Sequence, residues 1–137
     1  MTEFPPATYI DSDAALQAQI PHLSTEPFLA IDTESNSLYV YREQVCLFQI
    51  TTRQGDFIID PFSIADMGPL GDVLANPRIE KILHAAEYDL IGIKRDYGFE
   101  IHNMFDTMIA ARLCGYEQVG LNALLQQYLG VKLDKRH

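Results

Sequence analysis

Apolar positions along this chain fall into two kinds of run. In the first half they are short and dense: FLAIDTES (Phe28 to Ser35), VCLFQITT (Val45 to Thr52) and DFIID (Asp56 to Asp60). Rich in β-branched and aromatic residues and separated by turn chemistry such as Gln54-Gly55, each predicts a strand. The short gap between the second and third predicts a hairpin. FLAI is apolar on both faces, the pattern of a central strand with helices on either side. Ahead of these runs, Asp11, Ser12 and Asp13 precede AALQAQI, an N-cap and a short helix that Pro21 is expected to end. From Pro61 onward the period lengthens. MGPLGDVLANP predicts a helix ended by Asn76-Pro77, and IEKILHA a fourth strand. AEYDLIGIKRDYG predicts a helix with Leu90, Ile93 and Tyr97 on one face before Gly98. FDTMIAARLCG reads as a turn into a helix capped by Asp106, and LNALLQQYLG as an amphipathic helix closing on Gly130. This order predicts an α/β fold whose mixed central sheet is a three-strand meander extended by parallel strands, with helices on both faces.

Composition narrows the class. At 137 residues, with no internal repeat, low-complexity tract or linker, the chain is expected to form one domain, residues 1–137, with a real core. It has no run of roughly 20 apolar residues and no basic leader, so a cytoplasmic location is expected. Cys46 and Cys114 lack any metal-ligand spacing and are expected to be buried, reduced thiols. The net charge of −9 argues against a protein that coats phosphates with Lys and Arg. It does not exclude one that holds divalent cations on carboxylates, because the metal then supplies the positive charge.

Candidate chemistry centres on acids. Asp32-Thr33-Glu34 ends an apolar strand, and strand alternation puts Asp32 and Glu34 on one face, roughly 7 Å apart along the backbone. At a buried strand end, desolvation and like charge both oppose ionisation, and a divalent cation removes both penalties. The other reading is that the strand simply stops and both acids are solvated. Asp89, just inside the helix after the fourth strand, either joins them as a third acid or, with Glu87, opposes the helix dipole. His84 is either a ligand or base, or a packed, hydrogen-bonded side chain.

Six segments in order carry a resemblance: DTESNSL (Asp32 to Leu38), VCLFQI, Asp60-Pro61, HAAEYDL ending in Asp89-Leu90, FDT (Phe105 to Thr107) and GVKLDK (Gly130 to Lys135). Over nearly the whole chain it is similar to the ribonuclease D and proofreading-exonuclease family. The resemblance implies a ribonuclease H-like fold and a 3′-to-5′ exonuclease that hydrolyses phosphodiesters with two divalent ions, Mg²⁺ or Mn²⁺. It implies a four-acid DEDD site in which Asp32, Glu34 and Asp89 are catalytic metal ligands, Asp32 touching both ions, Glu34 the ion that carries the attacking water and Asp89 the second. Thr33 and Ser35 would meet the terminal nucleotide, and Leu38 would wedge between the last bases. Tyr39, Tyr41 and Arg42 either track the strand or are exposed hairpin residues. Asp106-Thr107 matches a family segment for which an N-cap role is expected. Lys132, Lys135 and Arg136 either face phosphate or form a solvated tail.

The family's third motif, a Tyr and the last Asp on a helix after a Trp-containing segment, has no match in these residues, which contain no Trp. The expectation is a C-terminally truncated domain, inactive or nearly so alone, binding one ion instead of two, with a dimer through the surface that truncation uncovers. The competing reading is a catalytically incomplete nucleic-acid- or metal-binding domain of the same fold. An unrelated phosphotransferase with a strand-end aspartate fits less well, because Glu34 stands where its second Asp belongs. Whether the single-stranded 3′ end belongs to RNA or DNA is left open, since no motif encodes contacts to a 2′ hydroxyl.

Overall fold

The computed structural model describes residues 5–36 and 43–132. Six strands form one sheet in the order β1-β4-β3-β2-β5-β6: β1 Thr8–Ile10, β2 Phe28–Asn36, β3 Gln44–Thr52, β4 Gly55–Ile59, β5 Glu80–Leu83 and β6 Met104–Asp106. The predicted meander is β2-β3-β4, antiparallel, with Arg53-Gln54 between β3 and β4. β5 joins β2 in parallel, β6 joins β5 in parallel, and β1 joins β4 in parallel. β1 and β6 escape the sequence pattern because three residues are too few for alternation to show.

Helices α1 Asp13–Thr25, α2 Gly68–Ala75 and α3 Glu87–Tyr97 cover the face bearing Leu29, Ile31, Phe48, Ile50, Phe57 and Ile59, all buried. Ser12 caps α1 by accepting from the Ala15 amide at 3.1 Å. Contrary to expectation, Pro21 lies inside α1 and does not end it. A helix-interior proline forfeits one hydrogen bond, here to Gln17, and costs about 3 kcal/mol. Both residues are exposed, so the freed carbonyl is left to solvent. Continuing the helix buries Leu23 beneath Leu16, both at 0 % exposure, which returns roughly 2 kcal/mol.

The opposite face is more open. Ala30, Ile82 and Phe105 form a row across β2, β5 and β6, and Phe28 and Phe105 remain 38 % and 47 % exposed. FLAI is therefore fully buried on one face only. Helices α4 Thr107–Leu113 and α5 Leu121–Leu129 approach this second face, Thr107 and Leu121 lining a cavity with Ala30 and Ile82. The cysteines also depart from expectation: Cys46 is half-buried and Cys114 exposed, at the end of the short α4. Among the described residues no helix is long and apolar enough to cross a membrane.

Candidate active site

β2 carries its acids beyond the core. Leu29 and Ile31 are buried, whereas Asp32 and Glu34, two residues apart on the opposite face, are exposed. Neither therefore bears the desolvation that a buried strand end would impose. Immediately after Glu34 the ladder slips: Glu34 pairs with Leu47 but Ser35 with Val45, so Cys46 has no partner. Such a bulge bends the strand and re-aims the side chains next to it.

Thr33 points to the other side, toward α3. Its hydroxyl donates to Oδ1 of Asp89, and its backbone N–H adds a second bond to the same carboxylate. Asp89 is half-buried, and burial is the main reason its carboxyl is held above the ordinary range. The Thr33 bonds pull the other way, while the charges of Asp32 and, less strongly, Glu34 push it further up. The charges of Asp32 and Glu34 thus reach Asp89 at one end of β2, while Asp89 itself is bonded to Thr33, which alternates to the face opposite theirs. Asp89 also occupies the first turn of α3, where the dipole favours an anion.

Gly92 brings α3 close to the sheet. A Cβ there would stand 2.9 Å from Cγ2 of Val45 on β3. Gly92→Val is expected to lift α3 off the sheet and destabilise the chain by about 1–3 kcal/mol, read as a lowered unfolding midpoint. An unchanged midpoint would show that this contact does not hold α3.

Two cavities, each of about 380 Å³, flank the end of β2. One is lined by Thr33, Ser35, Glu43, Tyr88, Asp89, Ile91, Gly92 and Arg95. The other, on the open face, is lined by Asp32 with Gln49, Thr51, His84, Thr107 and Leu121 among others. Tyr88, Ile91 and Arg95 were not singled out from the sequence. Their i, i+3, i+7 spacing is a helical stripe distinct from Leu90, Ile93 and Tyr97, and that spacing was the available signal. His84 is packed through its Nδ1, 2.8 Å from Oγ1 of Thr107, while its buried Nε2 has no hydrogen-bond partner among the described residues. Thr33, Ser35, Asp32, Glu34 and Asp89 are gathered at this end; Leu38, Tyr39, Tyr41 and Arg42 lie outside the described residues.

An oxygen-only donor set of mutually repelling carboxylates suits a hard divalent cation. Among the described residues no three His, Cys, Asp or Glu side chains are spaced to hold one ion as they stand, Asp89 being turned onto Thr33.

A family model described as 3′-5′ exonuclease matches residues 7–137. The exosome complex component 10 homolog of Caenorhabditis elegans is 39% identical over 133 residues, covering 96% of this chain and 15% of that protein. Ribonuclease D of Acidiphilium cryptum is 32% identical over 136 residues, covering 98% of this chain and 35% of that protein. The crystal structure of Escherichia coli RNase D superposes with a TM-score of 0.89 at 32% identity, covering 96% of this chain and 36% of that one. The chain thus spans about a third or less of the length of these relatives. With the family model and these relatives agreeing over nearly all of its residues, the chain belongs to the 3′-5′ exonuclease family that includes ribonuclease D, and its fold is ribonuclease H-like.

Proposed function

We propose that the chain carries the metal-binding end of a 3′-to-5′ exonuclease site that hydrolyses phosphodiesters at a single-stranded 3′ end. One observation carries this reading: Asp89 is held on Thr33, half-buried, within reach of the charges of Asp32 and Glu34. Such crowding of acids costs stability and is relieved by a cation, a pattern found where function outweighs folding.

Asp32, Glu34 and Asp89 would hold divalent ions, Mg²⁺ or Mn²⁺. When bound, such ions lower the pKa of an attacking water and stabilise the leaving 3′ oxygen. Asp89 would release Thr33 to reach an ion, freeing the Thr33 hydroxyl and N–H to meet the terminal nucleotide. Ser35 and Tyr88 line the same cavity, one offering a hydroxyl and the other a ring on which any base stacks. Arg95 lines it too and would offset phosphate charge, although it also bonds Asp96. Leu38 would complete the contact with the last bases. RNA is the proposed substrate because the Escherichia coli relative is described as an exoribonuclease.

A polypeptide of these 137 residues has no match to the third motif, and we expect it to bind divalent cations without appreciable turnover. The test is calorimetric Mn²⁺ titration of this chain and of Asp32→Ala, with labelled single-stranded RNA and DNA incubated alongside. Saturable binding in the first and none in the second, with both nucleic acids intact, is the expected result. Stepwise 3′ shortening by the unaltered chain would show that these residues suffice for catalysis. No binding to either protein would overturn the ligand assignment.

A further inference from the structure

Asp106 and Thr107 grip a stretch of chain some twenty residues away in sequence. Pairing of β5 with β6 sets Asp106 opposite Leu83. Oδ1 of Asp106 accepts from the amides of Met108 at 2.8 Å and Ile109 at 3.4 Å, the bonds an N-cap of α4 requires. The same carboxylate accepts from Ala85 at 3.0 Å and Ala86 at 2.8 Å, and capping α4 requires neither. The Thr107 hydroxyl donates to the Leu83 carbonyl at 3.2 Å and lies 2.8 Å from Nδ1 of His84. Each residue from Leu83 to Ala86 is therefore bonded to this dipeptide.

The gripped stretch is an unusual one. Ala85 has φ 57°, a left-handed conformation disfavoured for a residue with a Cβ. Ala86, at the N-cap of α3, offers no side-chain cap. The entry into α3 is thus fixed from outside, and Asp89 stands three residues beyond Ala86. Burial pushes the Asp106 carboxyl up, but its backbone N–H bonds outweigh that and keep it below the ordinary range, so it stays an ionised acceptor.

We propose that Asp106 and Thr107 are positioning residues that hold the left-handed turn at Ala85 and thereby set where Asp89 meets Thr33 and the site's cation. This goes beyond capping α4, and it rests on Asp89 as a metal ligand. Mn²⁺ affinity of the full chain would be measured by calorimetry for wild type, Asp106→Asn, Thr107→Val and Thr107→Ser. Each would be repeated with Asp89→Ala, and the amide resonances of Ala85, Ala86 and Thr33 would be recorded without metal. Asp106→Asn and Thr107→Val are expected to weaken Mn²⁺ binding about 10-fold or more, the scale for groups that orient a ligand. Thr107→Ser, which keeps the hydroxyl, should bind like wild type, and with Asp89→Ala neither change should add a further loss. The Thr33 amide, which neither residue touches, should move together with those of Ala85 and Ala86.

Unchanged affinity in both variants, or an equal loss with and without Asp89, would overturn the proposal. If Asp106→Asn does not fold, Thr107→Val and its serine counterpart decide alone. If wild type binds no Mn²⁺, the metal reading fails, and the Thr33 amide still decides positioning: movement supports it and a stationary resonance overturns it.

Discussion

Asp89→Asn is expected to stabilise the metal-free chain at pH 7 and, in the same step, to remove most of its affinity for divalent cations. The carboxyl is held above its ordinary range, chiefly by burial, with Asp32 and Glu34 adding like charge. A raised carboxyl pKa means that the folded chain binds protons more tightly than the unfolded one. Its stability therefore falls as pH rises from the unfolded value of 3.8 through the folded one. Above that window the ionised Asp89 is a net cost, which Asn does not bear, while its amide oxygen still accepts from Thr33. The gain should be about 1 kcal/mol or less, because solvent screens a half-exposed carboxylate. It is reduced by the charge that the first turn of α3 would otherwise favour. Loss of a charged ligand should weaken Mn²⁺ binding by at least 10-fold, roughly the lower bound for outer-shell partners. Melting curves at pH 7 and below pH 4, with calorimetry at pH 7, check both halves. The variant should be the more stable at pH 7, the two should converge in acid, and Mn²⁺ should stabilise only wild type. A less stable variant at pH 7 would show that the Thr33 bonds outweigh burial and repulsion.

What could be read in advance depended on range along the chain. β2, β3 and β4 showed themselves through dense apolar runs and one short turn, and Gly98 and Gly130 marked helix ends where left-handed φ values of 71° and 63° are found. The acids of β2 and α3 were legible as types and spacing, and the ordered segments of the family resemblance brought them together. Several features depend on partners distant in sequence. Thr33 gives no local sign that it will hold Asp89, 56 residues on. Ala85 occupies a conformation that sequence reasoning reserves for Gly or Asn, compensated by the bond its N–H donates to Asp106. Asp106 was legible as a cap for the helix it starts, but not as the clasp for the helix before it. Pro21 misled because the local rule cannot see that its face of α1 is exposed while Leu23 is buried.

Lys81 is the other residue that local pattern misses, and its removal should have a large effect on stability. Its charge reads as solvent-facing, yet in IEKILHA it alternates in phase with the buried Ile79 and Leu83, is 0 % exposed and lies beside Leu29 on the core face of β5. Its Nζ donates to the carbonyl of Asn76 at 2.5 Å and to that of His102 at 2.8 Å, tying the C-terminus of α2 to the loop that enters β6. A cation there also complements the helix dipole. Lys81→Met fills similar space but leaves two carbonyls unpaired, so at pH 7 it should destabilise by about 2–4 kcal/mol, after relief of the ammonium's own desolvation. Burial lowers the Lys81 pKa from 10.5 to about 8. The folded chain therefore binds fewer protons than the unfolded one between those values, and wild-type stability should rise with pH across that window. The methionine variant has no such group, so the gap between the two should widen from pH 8 to pH 10.5. The widening is at most roughly 3 kcal/mol, because both carbonyls favour the charged form. Tyr97, pushed up to about 12 mainly by burial, opposes this trend above pH 10, but it is common to both proteins and cancels in the difference. Chemical denaturation of the pair at pH 7, 9 and 10.5 gives the comparison directly. A constant gap would mean that Lys81 keeps its ordinary pKa in the core, its charge fully compensated by the Asn76 and His102 carbonyls.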